Sequence, residues 1–184
     1  LEIDQTVAVD IPDADLIEET YAAVDAMLKR SRVKLTANQK IVTSTFVSLA
    51  NLSHTGDFGR LLGEFAAARL TQNGLAAMNL NLRDGSVAIQ PGGGQFVLSR
   101  DMQVLSERYN AEVALVGTFT EAVNVVYVTM RLVMTADNTI AGSVDFELPR
   151  GPRTRALLGY APATVTQPST ETVTTHQYSW TRTD

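Results

Sequence analysis

Two runs in the second half of the chain alternate apolar and polar residues. In the first, Val126, Val128, Met130, Leu132 and Met134 share one parity against Tyr127, Thr129, Arg131 and Thr135. In the second, Ile140, Gly142, Val144, Phe146 and Leu148 stand against Ser143, Asp145 and Glu147. A period of two marks strands with one dry face and one wetter face. Between them Asp137 and Asn138 supply residues that tolerate the left-handed backbone of a tight hairpin. A strand beginning at Val113 precedes both, so the pattern predicts an antiparallel meander whose apolar face must be covered by helices.

The preceding chain supplies those helices. Glu2 to Val9 alternates weakly, as a strand or extended arm. Pro12, Asp13 and Asp15 open a first helix, because proline tolerates the first turn and carboxylates suit the positive end of the macrodipole. Ile17, Tyr21, Val24 and Leu28 form its apolar stripe, ending near Lys29. Ile41 to Leu49 is β-branched and apolar on both parities, as in a strand covered on both faces. Asp57 is the expected cap of a second helix, with Phe58, Leu61, Leu62, Phe65, Ala66 and Leu70 as its stripe and Asn73-Gly74 as its stop. Gly63 costs that helix about 1 kcal/mol relative to alanine, and its small size lets the helix lie close to a sheet.

Leu75 to Leu82 reads as a strand, Val87 to Ile89 as a short edge strand, and Pro91 to Gly94 as a surface loop. Ser99 caps a third helix with Leu98, Met102, Leu105 and Tyr109 as its stripe, closed by Asn110. The predicted order is βαβαβ(β)αβββ, an α+β fold with a mixed β-sheet, packed helices and a terminal antiparallel meander. Residues 1–149 form one domain in this reading, and 150–184 form a Thr/Pro-rich extension. Within the extension, TVTTHQYSW sets His176, Tyr178 and Trp180 on one side of a strand suited to docking on a sheet edge or meeting a partner.

Composition narrows the function. At 184 residues, with 45% apolar and 19% charged residues, the chain has the means for one sizeable core. A net charge of -5 gives no general attraction to nucleic acid or to anionic lipid, so membrane contact is expected only through a lipid anchor upstream, while local basic patches stay open. The absence of cysteine excludes disulfides, thiolate metal sites and a cysteine nucleophile. No run of 18 apolar residues occurs. The chain opens at Leu1 with no leader-like segment, and a trimmed chain is expected from that start. Eight acids, Glu2, Asp4, Asp10, Asp13, Asp15, Glu18, Glu19 and Asp25, precede a basic cluster of Lys29, Arg30, Arg32 and Lys34.

Candidate chemistry is sparse. His54 lies three residues before Asp57, a base and an orienting carboxylate in outline, but no nucleophile is tied to them by spacing. A loop histidine beside a helix cap is the stronger reading. Gly92, Gly93 and Gly94, followed by Ser99 and Arg100 at a helix start, form a candidate anion loop. That segment lacks the Lys-Ser/Thr of a Walker loop and the GxGxxG spacing. The basic cluster lacks the interleaved aromatics of single-strand nucleic-acid sites, and the acids lack the spacing of a calcium loop. No catalytic, cofactor or metal site is predicted, and the chain is not expected to be an enzyme.

Longer strings carry a resemblance. VTSTFVSLANL, FGRLLGEFAAARLTQNG, QFVLSRDMQVLSERYNAEVALVGTFTEAVNVVYVTMRLV and DFELP, in that order, resemble the FlgO family of outer-membrane-associated flagellar assembly proteins. The likeness covers about Leu16 to Pro149 and is strongest at Phe58 to Glu64, Leu98 to Asp101 and Leu115 to Thr120. It implies a periplasmic, outer-membrane-associated structural protein that supports the flagellum and motility without catalysis, commonly held by a lipoprotein anchor. The implied partners are other envelope or flagellar proteins and further copies of the chain. The same order of elements also resembles TolB-type amino-terminal domains, which implies the alternative of a periplasmic small-ligand or anion-binding domain.

Overall fold

The computed structural model describes residues 11–50, 56–79 and 109–160. The expected strand at 2–9, the short strand at 87–89, the third helix before Tyr109 and the extension from Ala161 lie outside the described residues. The described elements are α1 (Leu16–Arg30), β1 (Lys40–Thr43), β2 (Val47–Ser48), α2 (Asp57–Gln72), β3 (Ala76–Asn79), β4 (Val113–Glu121), β5 (Val125–Met134), β6 (Ile140–Pro149) and α3 (Pro152–Leu157).

These strands form one mixed sheet in the order β3-β1-β4-β5-β6, with β2 beside β4 beyond the end of β1. β1 runs parallel to both β3 and β4, and β2 is also parallel to β4. Those strands are joined through helices, as parallel neighbours require. β4, β5 and β6 form the expected antiparallel meander, in register from Val113↔Met134 to Glu121↔Val126 and from Val125↔Pro149 to Leu132↔Gly142. Asn138 adopts φ 60° in the connecting turn, and the Asp137 carboxylate accepts the Thr139 N–H at 2.9 Å. The fold is α+β.

α1 lies on β6 and α2, while α2 lies on β1, β3 and β4, so both helices cover one face of the sheet. The main core forms there from Val24, Met27, Phe58, Leu62 and Leu70 of the helices and Ile41, Leu115, Val128, Met130 and Leu132 of the sheet. A smaller cluster of Val42, Ala111, Ala114 and Val133 lies apart from it. Ile41 and Val42 therefore bury opposite parities of β1, as its continuous apolar run predicts.

The expected single strand from Ile41 to Leu49 is broken. Ser44 donates its N–H to Leu115 O at 3.3 Å, but the Phe46 N–H leaves the sheet and donates to Gly59 O of α2 at 3.0 Å. The Phe46 ring is fully buried. Gly117 makes room for the ring, and two glycines of α2 let that helix close on the backbone of the kink: a Cβ on Gly117 would stand 2.3 Å from the Phe46 ring, one on Gly59 2.0 Å from Phe46 O, and one on Gly63 2.7 Å from Ser44 O. The small residues of α2 thus bring that helix against the kinked strand, as Gly63 suggests.

Three local expectations are corrected. α1 buries Thr20, Ala23, Val24 and Met27, leaving Ile17 48% exposed, because the helix must face β6 and α2 together. Asp57 is not a cap: Gly56 holds that position, and Asp57 makes an exposed ion pair with Arg60 at 3.7 Å. At the start of β6 a bulge pairs Val133 with Ile140 and Leu132 with Gly142. It shifts the parity there, burying Ala141 and leaving Ile140 exposed. Arg150 pairs with Asp13 in an isolated antiparallel bridge, and α3 follows, packed against α2.

Candidate functional site

Asp15 is the true N-cap of α1, its carboxylate accepting the Glu18 N–H at 3.0 Å. From that turn a shallow groove of about 470 Å³ runs between α1 and α2, lined by Asp15, Ile17, Glu18, Tyr21, Asp25 and Arg69. Its polar wall is a network between the helices. Arg69 Nε donates to Asp25 Oδ1 at 2.9 Å, and Arg69 Nη2 donates to Asp25 Oδ2. Arg69 Nη1 donates to Gln72 Oε1 at 2.9 Å, and Gln72 Nε2 donates to Tyr21 Oη at 3.1 Å. Asn73 Nδ2 adds a third donor to Asp25 at 2.9 Å. The guanidinium lies 5.2 Å from the centre of the Tyr21 ring.

These contacts decide what the groove can do. The Arg69 hydrogen bond holds the Asp25 carboxyl below the usual carboxylate range, against an opposing push from desolvation and with further help from Asn73. Arg69 is raised in turn by Asp25. The two charges are committed to each other in a fork-on-fork pair, so Arg69 is not offered to an incoming anion. The network clasps two helices together and leaves Ile17 as an apolar surface beside exposed Glu18.

At the N-terminal end of α2, a narrow cleft of about 40 Å³ is lined by Ser48, Phe58, Phe119, Glu121, Leu157 and Leu158. The Phe58 and Phe119 rings meet edge to face at 5.1 Å. Beside it Arg150 Nη2 pairs with Glu121 at 3.1 Å, its Nη1 donates to Ala122 O at 3.0 Å, and its guanidinium lies over the Tyr160 ring at 4.4 Å. Arg150 therefore locks the tip of the β4–β5 hairpin to the end of β6. Nothing in the local pattern links Arg150 to Glu121, or Asp25 to Arg69, 44 positions away.

Of the residues singled out from sequence, His54, Gly92, Gly93, Gly94, Ser99, Arg100, His176, Tyr178 and Trp180 lie outside the described residues. Among the described residues no group of three His, Asp or Glu side chains could hold a metal ion, and no helix is long and apolar enough to cross a membrane. The described surface offers ion-paired clasps, a largely polar groove with Ile17 at its edge, and exposed sheet residues.

The fold is similar to that of solved domains. The LpoB C-terminal domain from Escherichia coli aligns with TM-score 0.53 at 16% identity, covering 72% of this chain and 97% of that one. The LpoB C-terminal domain from Salmonella enterica gives 0.52 at 14% identity with the same coverage of both chains. The NMR structure of E. coli LpoB gives 0.54 at 16% identity, covering 80% of this chain and 75% of that one. At such identities the likeness is one of fold. No curated protein matches the chain in sequence. The model of the FlgO protein family matches residues 21–153, from the second turn of α1 into α3, and the chain belongs to that family.

Proposed function

We propose that this protein is a noncatalytic component of the bacterial cell envelope that supports the flagellar apparatus at the outer membrane, and hence motility, by binding other proteins. The observation that carries this reading is the family match over 21–153, which spans the helices and the whole meander. The described surface agrees with it. Tyr127, Arg131 and Glu147 stand exposed on the sheet face away from the helices, and Val123 at the β4–β5 tip is 79% exposed. In this reading the periplasm is the compartment, a lipid anchor is the attachment, and His176, Tyr178 and Trp180 of the extension add aromatic contacts to a partner. A photocrosslinking residue at position 127 in the native host tests it. Adducts with flagellar outer-membrane components are expected, and adducts confined to unrelated envelope proteins would remove the flagellar assignment.

A further inference from the structure

One end of the sheet is basic. The starts of β1, β4 and β6 meet there, and the last turn of α1 joins them where Arg32 N–H donates to Ala141 O at 2.8 Å. Lys29, Arg30, Arg32, Lys34 and Lys40 are all exposed at this end. None takes part in an ion pair with the described residues. Among the described residues the unpaired acids at this end are Glu112, which accepts the Gln39 side-chain amide at 3.1 Å, and Asp137, turned back onto Thr139. Within the described residues, five cations against these two carboxylates leave three positive charges in excess at this end, on a chain whose net charge is -5.

The acids of α1 do not cancel this charge. Asp15, Glu18 and Glu19 sit at the start of the 15-residue helix, roughly 15–22 Å from Lys29 and Arg30 at 1.5 Å per residue, and Asp25, one turn before Lys29, is paired with Arg69. Those distances are about two Debye lengths or more, at about 8 Å each at physiological salt. Two apolar side chains accompany the cations: Val33, 36% exposed between Arg32 and Lys34, and Ile140, 47% exposed beside the Arg32–Ala141 hydrogen bond. A phosphate polymer offers such side chains nothing. The boundary between headgroups and acyl chains takes both kinds, with lysine and arginine stems lying along the apolar side and their charges on phosphates.

We propose that this end of the sheet is a docking face for an anionic phospholipid surface. Lys29, Arg30, Arg32 and Lys34 meet headgroup phosphates, while Val33 and Ile140 enter the interfacial layer. The proposal does not rest on the flagellar assignment, and it gives the domain a defined orientation, basic end toward the bilayer and acidic end of α1 away from it.

The test is flotation of the full chain with vesicles of phosphatidylcholine alone or mixed with phosphatidylglycerol, at low and at physiological salt. Binding is expected only to the mixed vesicles and to weaken with salt. Each lost cation should lower partitioning about fivefold, so Arg32→Glu with Lys34→Glu should reduce it by roughly 25-fold or more. Arg32→Lys with Lys34→Arg should retain binding, and circular dichroism checks that each variant folds. Val33→Ser with Ile140→Ser should weaken vesicle binding while leaving binding to soluble heparin unchanged. No binding to the mixed vesicles at low salt, or binding indifferent to the charge reversals, overturns the proposal. Vesicle binding indifferent to the Val33 and Ile140 changes would show a general polyanion site and overturn it equally.

Discussion

Asp13 caps a helix that begins far along the chain: its Oδ1 accepts the Arg153 N–H of α3 at 2.7 Å, across 140 positions of sequence. Its Oδ2 lies 3.4 Å from Arg153 Nε, and Gly151 approaches so closely that a Cβ there would stand 2.6 Å from Pro12 O. The segment before α1 and the segment after β6 are therefore one joint. Asp13→Ala should cost about 1 kcal/mol, the usual value of a lost cap. Asp13→Asn should retain most of it, because the amide oxygen still accepts. Urea midpoints of the two variants against the parent check this, and equal losses would mean that charge rather than the hydrogen bond holds the joint.

The Asp25–Arg69 clasp gives a pH dependence with a definite sign. Asp25 is depressed in the folded protein, chiefly by the Arg69 hydrogen bond. Its contribution is therefore fully present above the unfolded carboxylate value of about 3.9 and is lost as pH falls through the lower folded value. Because both side chains are partly exposed, at 30% and 41%, solvent screening keeps the effect within about 1 kcal/mol. Asp25→Asn should be less stable than the parent at neutral pH and indistinguishable from it in strong acid. Urea midpoints at the two pH values read the difference directly.

Glycines of α2 should respond in the opposite sense to their helix propensity. In an exposed helix, glycine to alanine gains about 1 kcal/mol. At Gly59 the new methyl would meet Phe46 O at 2.0 Å, a backbone atom held in the core crossing. Gly59→Ala should destabilise by about 1–3 kcal/mol or more, as overpacking does. Gly117→Ala meets the Phe46 ring instead, and adding Phe46→Leu should recover part of that loss. Thermal midpoints of the two single variants and the double variant test the assignment. A stabilised Gly59→Ala would show that α2 can move off the strand.

Much of this fold is legible in the sequence because its strands are half-buried. Val126, Val128, Met130 and Leu132 show their face through a period of two, and Asn73-Gly74 ends α2 with Gly74 at φ 77°. The break between β1 and β2 is not legible, since an apolar run on both parities looks the same whether Phe46 continues the sheet or turns to Gly59. α1 misleads for a related reason: Ile17 and Tyr21 lie on a plausible stripe, but helix and sheet together select the arc of Thr20, Ala23, Val24 and Met27. The Ala141 bulge and the caps at Asp13 and Asp15 depend on long-range register and on which carboxylate reaches which N–H. The contact features, Asp25 with Arg69 and Arg150 with Glu121, join residues that only the tertiary fold makes neighbours. The family strings reach further than periodicity because they record such positions together.

We propose that this FlgO-family domain serves the flagellum at the envelope through contacts and not through chemistry. The most direct measurement is swimming motility and flagellar structure in a host lacking the gene, with the gene restored in trans. The account predicts reduced motility with an altered flagellar base at the outer membrane, both corrected by the restored gene. Normal motility with intact flagella in the deletion strain would contradict it.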